Sequence, residues 1–213
     1  MLKDQYFFEC HCAACSSGEE NKQRAYLCGQ CNGAVIRNNK DGSNFCLNCK
    51  LANQPVNSRL FDEASMLIRI AKAKVAAKKF EEALTDVNEA YTKLIDCVHR
   101  HHKELRNCLA ILIDCYSELG LYSVASQYSY VNFKLTKEIF GLKSVESLVI
   151  FTKIVNLDYL DCGEDAEKRE KLRKFVDSHL DEFESLEAAV GKKVGAFGGF
   201  DELKFVREIR SKI

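Results

Sequence analysis

Beyond residue 57 the apolar side chains recur every three or four positions, which is the period of amphipathic helices. Four such stripes follow one another, over Leu60–Val75, Phe80–Ile95, Leu105–Leu119 and Leu121–Leu135. Gly120 and Gly141 stand where the third and fourth stripes end, a position that glycine favours after a helix. The same reasoning predicts helices over roughly 143–161 and 164–189 and an amphipathic helix over about 200–213. Because the connections are short, neighbouring helices should pack antiparallel.

Two helix starts share a local pattern. In Lys79–Leu84 and in Gly120–Ala125 an aromatic residue precedes a helical alanine by three positions, and the two segments are about 41 residues apart. This offset is near the helix-pair period of tetratricopeptide arrays, although those usually repeat every ~34 residues. A small alanine would let the two helices of a pair approach closely. We therefore favour a tetratricopeptide-like array over a generic helical bundle.

The segment before the helices follows a different pattern, because it is polar and rich in cysteine. Seven of the eleven cysteines lie within the first 50 residues. A segment with so little apolar surface needs a metal or a covalent link to fold. The sequence shows no secretory leader and no apolar run near 18 residues, so we expect zinc rather than disulfides.

Four of these cysteines form two C-x-x-C pairs, Cys28 with Cys31 and Cys46 with Cys49, separated by fourteen residues. Such pairs can bind one Zn²⁺ tetrahedrally. Between them, residues 34–36 and 44–46 predict two strands joined by a turn over 38–42, and Gly29 and Gly33 are expected to supply unusual backbone angles. A redox C-x-x-C is the alternative, but that motif belongs at a strand-to-helix junction and is rarely doubled.

A third cysteine group lies nearer the N-terminus and contains Cys10, Cys12 and Cys15. Three sulfurs leave a tetrahedral ion one ligand short. The fourth position could hold a water on a catalytic zinc, or a ligand from outside the chain. His11 is a further candidate, although its side chain would point away from its neighbours in an extended segment.

Composition narrows the functional classes. The net charge is zero, with 31 acidic and 31 basic side chains, so we expect neither direct nucleic-acid binding nor a membrane partner. A basic stripe could clamp a peptide carboxylate, but a solvated helix face is the more common meaning of such a stripe; its members are Lys72, Lys74, Lys78 and Lys79. The histidines at 99, 101 and 102 are interpreted as a polar turn rather than a second metal site. The cysteines in the helical region are interpreted as small core residues, namely Cys97, Cys108, Cys115 and Cys162.

The stretch Leu2–Cys15, with Gln5-Tyr6-Phe7-Phe8-Glu9-Cys10-x-Cys12-x-x-Cys15 at its centre, resembles the post-SET motif of the SET and MYND domain-containing family of protein-lysine methyltransferases. A Cys₄ insertion before the helices is similar to that of the family's fourth-member branch. The phrase Phe140–Glu146 resembles the Gly-x-x-Ser-x-Glu turn of the family's helical domain. The resemblance is specific over residues 2–15. Over the rest of the chain it holds only in outline.

The resemblance implies roles for individual residues. Tyr6 would line the channel of the target lysine, and Phe8 would stack near the adenine of S-adenosylmethionine. Cys10, Cys12 and Cys15 would share a zinc with a fourth cysteine of the SET core. The sequence contains neither that core nor the MYND module, so we expect this chain to be the C-terminal portion of such an enzyme or a truncated gene product. S-adenosylmethionine would then be a cofactor only of the complete parent protein.

These observations predict a mainly α protein, in which a tetratricopeptide-like antiparallel array follows a small zinc-bound Cys-rich segment with a short β-hairpin. The predicted boundaries are a post-SET segment over 1–17, a Cys₄ insertion over 18–56, a helical domain over 57–190, and a Gly-rich linker with a final helix over 191–213. A phosphate loop is the less favoured interpretation of the glycines at 191–199. The family implies a cytoplasmic or nuclear protein whose helical domain binds proteins or peptides, such as histone or non-histone lysine substrates or chaperone tails. The alternative is a non-enzymatic zinc-containing interaction module.

Overall fold

The computed structural model describes residues 22–37, 42–191 and 201–213. Within them lie seven helices and a small antiparallel sheet. The strands are β1 (Tyr26–Leu27), β2 (Ala34–Arg37) and β3 (Asn44–Cys46). The helices are α1 (Ser58–Ala76), α2 (Phe80–Cys97), α3 (Lys103–Glu118), α4 (Tyr122–Phe140), α5 (Val145–Cys162), α6 (Ala166–Gly191) and α7 (Asp201–Lys212). The mainly helical fold with a small sheet beside a cysteine cluster is thereby confirmed.

The sheet has one strand more than the predicted hairpin. Strand β2 pairs with β3 through Val35 and Cys46, and on its other side Val35 faces Tyr26 of β1. The strands predicted at 34–36 and 44–46 are confirmed, whereas most of the predicted turn, residues 38–41, lies outside the described residues. Strand β1 was missed because two residues are too short to produce an alternating pattern.

Helix ends follow the expected capping chemistry. The Asn57 side chain accepts a hydrogen bond from the backbone N–H of Leu60 (3.2 Å) and so caps α1. Ser144 caps α5 in the same way by accepting from the N–H of Ser147 (3.1 Å). Ser144 belongs to the Gly-x-x-Ser-x-Glu phrase, so that phrase has a direct structural role as a helix start.

Helices α1 and α3 end in the same motif. After α1, the N–H of Lys78 bonds to the carbonyl of Val75 and that of Lys79 to Lys74, with Lys78 in the left-handed region at φ 58°. After α3, Gly120 (φ 73°) and Leu121 repeat these bonds to Ser117 and Tyr116. Both are Schellman motifs, and in each the next helix begins two residues after the left-handed residue. The internal similarity of the sequence therefore corresponds to two similar helix-turn-helix corners.

The described chain divides into two compact units. The first takes the residues up to Ile70 together with Asp86–Cys108, and the second takes Ala71–Thr85 together with the residues from Leu109 onward. In the second unit, a hydrophobic core joins α4, α5, α6 and α7 around Phe151 and Phe183, whose ring centroids are 4.8 Å apart. Both rings are fully buried.

The buried face of α4 differs from its predicted stripe. Leu121 and Val131 were expected in the core, but they are 48% and 43% exposed. The buried positions are largely polar instead, and comprise Ala125, Ser126, Ser129, Asn132, Phe133 and Thr136. The prediction was wrong because it followed apolar character, whereas small hydroxyl side chains can be buried when they find hydrogen-bond partners. Ser129, for example, donates to the carbonyl of Ala125 (2.9 Å). In α2, Ile95 is likewise 46% exposed rather than buried.

Candidate metal centre

The four cysteines of the two C-x-x-C pairs converge on one point of the first unit. Their sulfur atoms all lie within 4.8 Å of one another. The Sγ atoms of Cys28 and Cys49 are 3.9 Å apart, and those of Cys31 and Cys46 are 3.5 Å apart. All four thiols are free. The first cysteine of each pair is completely buried and the second is half-buried, so the cluster is closed on one side.

Two turns of the same construction present these sulfurs. In the first, the N–H of Cys28 bonds to the carbonyl of Gly33 (2.9 Å) and the N–H of Asn32 to that of Cys28 (3.0 Å). In the second, Cys46 bonds to Leu51 and Lys50 to Cys46 with the same residue offsets, both at 3.0 Å. Equivalent backbone bonds give each C-x-x-C the same hairpin-like shape, in which both sulfurs reach one point.

The residues that give these turns their curvature are not the predicted glycines. Asn32 (φ 55°) and Lys50 (φ 63°) occupy the left-handed region at equivalent positions, four residues after the first cysteine of each pair. Gly29 and Gly33 do not have positive φ angles, so the expected reason for those glycines was wrong. Asparagine tolerates left-handed geometry better than most residues, which fits its place at position 32.

Gly33 is required for space instead. A Cβ atom at this position would lie 2.6 Å from the Cβ of Asn48, 3.0 Å from the sulfur of Cys46 and 3.1 Å from that of Cys31. By contrast, a Cβ at Gly29 would meet nothing within 4 Å. The backbone at Gly33 thus comes so close to two of the four sulfurs that no side chain fits between them.

Hydrogen bonds to sulfur favour deprotonation of one of the four thiols, that of Cys31. The pKa of Cys31 is lowered to about 6, chiefly by a hydrogen bond from the Asn48 side chain and then by the backbone N–H of Gly33. The pKa of Cys49 is raised to about 11, because burial and the neighbouring thiols outweigh the hydrogen bond from the backbone of Leu51. The N–H of Asn48 also points at the sulfur of Cys46 (3.4 Å). Crowded thiols cannot all ionise without a compensating cation, and a divalent metal supplies that charge.

The donor set fits a tetrahedral metal ion. A zinc ion with four sulfurs at about 2.3 Å places neighbouring sulfurs about 3.8 Å apart. The 3.5 and 3.9 Å separations bracket this value. Four cysteines without an open position are typical of a structural rather than a catalytic site. Moreover, both C-x-x-C pairs lie in turns at strand ends rather than at the start of a helix, which does not favour the redox alternative.

The cysteine cluster is attached to the helical residues of its own unit. Tyr26 forms an antiparallel bridge with Val98, and the N–H of His99 bonds to the carbonyl of Ala25 (2.9 Å). The ring of Tyr26 meets that of Phe61 edge-on at 5.6 Å. His102 is buried, and its ring also meets that of Phe61 edge-on, with the centroids 5.2 Å apart. The histidine loop is therefore a packing surface for the sheet.

The other residues that the sequence analysis singled out as post-SET, linker or core residues fall into two groups. Tyr6, Phe8, Cys10, Cys12 and Cys15 lie outside the described residues, and so does most of the glycine-rich segment (192–200). The cysteines interpreted as core residues are all buried: Cys97, Cys108, Cys115 and Cys162.

Two lysines of the basic stripe contact the same residue, Glu82. Lys79 forms an ion pair with Glu82 (3.2 Å), and Lys74 is 3.5 Å from the Glu82 carbonyl oxygen. Lys78 lines a groove of about 620 Å³ together with Phe80 and the ion-paired Lys153 and Asp114.

Comparison of the sequence with models of known protein families gave no match, and no curated protein matched it significantly. Among the described residues, no helix is long and apolar enough to cross a membrane.

Two sets of side-chain contacts were not predicted from the sequence. Asn48 and Gln54 contact the cluster, with the Gln54 side-chain oxygen 3.4 Å from the sulfur of Cys28. In the second unit, Asp158 accepts hydrogen bonds from Ser126 and Tyr130. The sequence does carry a signal for the contacts of Asp158, because Ser126 and Tyr130 are four residues apart and therefore lie on one side of a helix.

Proposed function

We propose that this chain is the C-terminal portion of a SET and MYND-type protein-lysine methyltransferase, in which a zinc ion bound by Cys28, Cys31, Cys46 and Cys49 stabilises the segment between the post-SET motif and a tetratricopeptide-like helical domain. The observation that carries the proposal is the order of features along the chain. The motif over residues 2–15 is followed by a closed Cys₄ cluster and then by helices, two pairs of which are joined by similar corners.

Zinc is the preferred metal on chemical grounds. Four thiolates at tetrahedral spacing suit zinc or an iron–sulfur centre and disfavour oxygen-seeking ions such as magnesium. Two of the six Sγ separations, 3.5 and 3.9 Å, are close to those around a single ion, and all four sulfurs lie within 4.8 Å of one another. The site has no free ligand position, so its role is structural.

The contribution of this chain to methyl transfer would be limited to one wall of the reaction channel. S-adenosylmethionine, when bound to the parent enzyme, supplies the methyl group on a sulfonium. Tyr6 would screen the lysine amine from water, and Phe8 would pack against the adenine ring. The zinc of Cys10, Cys12 and Cys15 would hold both aromatic residues in place through a fourth cysteine from the SET core. Methyl transfer requires the sulfonium and the amine in line, which this single wall cannot arrange.

The proposal is tested with the isolated chain and with a parent that joins it to a SET core. Calorimetry on the isolated chain should give no measurable binding of S-adenosylmethionine. In the parent, Tyr6→Ala should lower the methylation rate and Phe8→Ala should weaken cofactor binding. Phe7→Ala is the matched control, since the motif leaves that position open. Micromolar binding by the isolated chain, or wild-type affinity in the Phe8→Ala parent, would contradict the proposal.

A second candidate function is a peptide-binding module, and the groove beside Phe80 favours it. The groove combines an aromatic ring with Lys78, and Lys78 forms no ion pair within the part of the chain that the structure describes. A short acidic peptide with a free C-terminal carboxylate fits this chemistry. Fluorescence titration should show tighter binding of such a peptide than of its amidated form, and Lys78→Ala should remove the difference, whereas Lys72→Ala should not. Equal binding of both peptide forms would exclude this function.

A further inference from the structure

A cavity in the second unit contains a carboxylate that forms no ion pair with any of the residues that the structure describes. The cavity measures about 240 Å³ and lies among α4, α5 and α6. Its lining residues are Tyr130, Asp158, Asp161, Cys162, Lys168, Lys171 and Leu172. None of them belongs to the cysteine cluster or to the groove beside Phe80, so the cavity is separate from both sites discussed above.

Asp158 is fixed in the cavity wall by two hydrogen bonds. One carboxylate oxygen accepts from the hydroxyl of Ser126, and the other accepts from that of Tyr130 (2.8 Å). Ser126 is itself buried, so this end of the carboxylate is held against the protein interior. Each carboxylate oxygen can accept a second hydrogen bond, and neither has one from a described residue.

The charge of Asp158 is not compensated by a neighbouring cation. Both lysines that line the cavity have other partners, since Lys168 pairs with Asp161 (2.8 Å) and Lys171 with Glu167 (2.7 Å). Within the described ranges, no lysine, arginine or histidine forms an ion pair with Asp158. Burial raises the pKa of Asp158 against the effect of its two hydrogen bonds, and the nearby Asp161 raises it further. A partly buried carboxylate of this kind is stabilised by any cation that can reach it.

The rest of the lining is suited to an apolar chain that ends in a cation. The thiol of Cys162 is buried and protonated, because burial raises its pKa, and it lies beside Leu172. The ring of Tyr130 is held edge-on to Phe175, with the centroids 5.0 Å apart, and its face can attract a cation. The lining thus offers a carboxylate, an aromatic ring and an apolar surface within one small volume.

We propose that this cavity binds a primary alkylammonium group, with the ammonium donating to Asp158 and the alkyl chain packing against Leu172 and Cys162. A lysine side chain of another protein or a free aliphatic amine has this chemistry, and both would use the same contacts. The site does not depend on the methyltransferase proposal, because it uses neither the cysteine cluster nor the residues of the post-SET motif.

The experiment is an NMR titration of the ¹⁵N- and methyl-labelled 213-residue chain with n-butylammonium chloride. Saturable shifts are expected for Leu172 and for the backbone of Cys162 and Tyr130. Sodium butyrate and n-butanol have the same alkyl length with a negative charge or none, and neither should produce these shifts. Asp158→Asn should weaken binding about ten- to a hundredfold, since it removes a charged acceptor. Asp177→Asn is the matched control and should leave binding within a factor of about three, because its carboxylate is not part of the cavity lining and pairs with Arg210.

Ligand-induced thermal stabilisation gives a second measurement that needs no variant. Butylammonium should raise the melting temperature of the wild-type chain, whereas equal concentrations of butanol or potassium chloride should not. An absence of saturable shifts, unchanged binding in the Asp158→Asn variant, or binding of butyrate at the same residues would each overturn the proposal.

Discussion

The cysteine cluster and the four-helix core of the second unit acquire their stability in different ways. Around the sulfurs, the buried apolar cluster contains two of the cysteines themselves and Val35, with a few half-buried neighbours. The core of α4–α7 buries thirteen residues, twelve with aliphatic or aromatic side chains and one cysteine. At about 25 cal/mol for each Å² of apolar surface, the helical core can be held by burial alone, and the cysteine segment cannot. The comparison teaches that one chain can join a ligand-dependent fold to one that needs no ligand.

The largest expected effect comes from removing the metal. The purified chain should contain one tightly bound zinc, and Cys46→Ser or strong chelation should remove it. Metal binding contributes roughly 10–16 kcal/mol to folding in comparable small sites, so the sheet should then lose its order. Elemental analysis gives the zinc content, and hydrogen exchange of residues 22–56 reports the sheet. Cys115→Ala removes a buried thiol outside the cluster and should leave the zinc content unchanged.

Two other results of this experiment would be informative about the cysteines near the N-terminus. Two zinc ions with equal resistance to chelation would mean that Cys10, Cys12 and Cys15 find a fourth ligand in this chain, with His11 the first candidate. Absence of zinc would contradict the proposed centre.

We also expect most of the helical circular dichroism to survive chelation, because apolar burial stabilises the helices. A cooperative loss of all helices would show that the predicted boundary near Pro55 does not separate independent modules.

The second effect concerns the helical core. Phe151 is completely buried and its ring lies near those of Phe133, Phe175 and Phe183. Phe151→Ala should therefore lower the free energy of unfolding by about 3–5 kcal/mol through lost burial and a cavity. The exposed Leu160 on the same helix is the control, and its change to alanine should cost less than about 0.5 kcal/mol. Urea denaturation measures both, and zinc content should stay constant. A small effect of Phe151→Ala, or loss of zinc, would contradict the assignment of this core.

The cysteine cluster could be predicted from sequence because its information is local. Each C-x-x-C turn is specified by a few consecutive residues, and the spacing of the two pairs implies that they share an ion. The helices could be predicted equally well, because Asn57, Ser144 and Gly120 mark helix ends and the apolar period marks helix length. In both cases the physical cause acts over a few residues.

What the sequence did not reveal depends on distant partners or on exact backbone angles. Strand β1 pairs with β2 on one side, and its Tyr26 also bridges to Val98, which is remote in the chain. The buried face of α4 depends on an acceptor for Ser126 that comes from Asp158, 32 residues later. Left-handed geometry at Lys50 could not be predicted, because lysine has no preference for it.

A third, smaller effect is expected from pH in the first unit. His102 is 3% exposed, and its Nδ1 accepts a hydrogen bond from the backbone N–H of Glu104 (3.1 Å), so it caps α3 as a neutral ring. Burial lowers the pKa of His102 to about 4. Since the unfolded value is near 6.5, the unfolded chain binds the proton first, and this contribution to stability is present above about pH 6.5 and is lost as the pH falls toward 4. The loss should be on the order of 3 kcal/mol at the acid end.

His102→Asn tests this pH dependence directly. Asparagine can still cap the helix but cannot titrate, so the stability difference between wild type and variant should change between pH 6.5 and 4 and stay level above that range. Urea denaturation at several pH values measures the free energy of unfolding of both proteins. The pH dependence of the metal site is common to both and cancels in the difference. His101→Asn controls for the loss of an imidazole from the same loop. A difference that does not vary with pH would mean that His102 binds its proton equally well in the folded and the unfolded chain, so that folding does not lower its pKa.

The smallest expected effect comes from adding a single methyl group beside the sulfurs of the metal site. Gly33→Ala places a Cβ atom 2.6 Å from Asn48 and about 3 Å from two ligand sulfurs, so the turn must shift and the four sulfurs can no longer keep their spacing. We expect a loss of about 1–3 kcal/mol, the usual cost of overpacking, which corresponds to roughly a five- to 150-fold weaker zinc affinity. Gly29→Ala adds the same methyl group in the same C-x-x-C turn, where nothing lies within 4 Å, and should leave the affinity almost unchanged. Competition with a chromophoric chelator measures both variants. Because the helical core does not use these sulfurs, its urea midpoint should be the same in both. Equal zinc affinity in the two variants would show that the close approach at Gly33 does not control the geometry of the metal site.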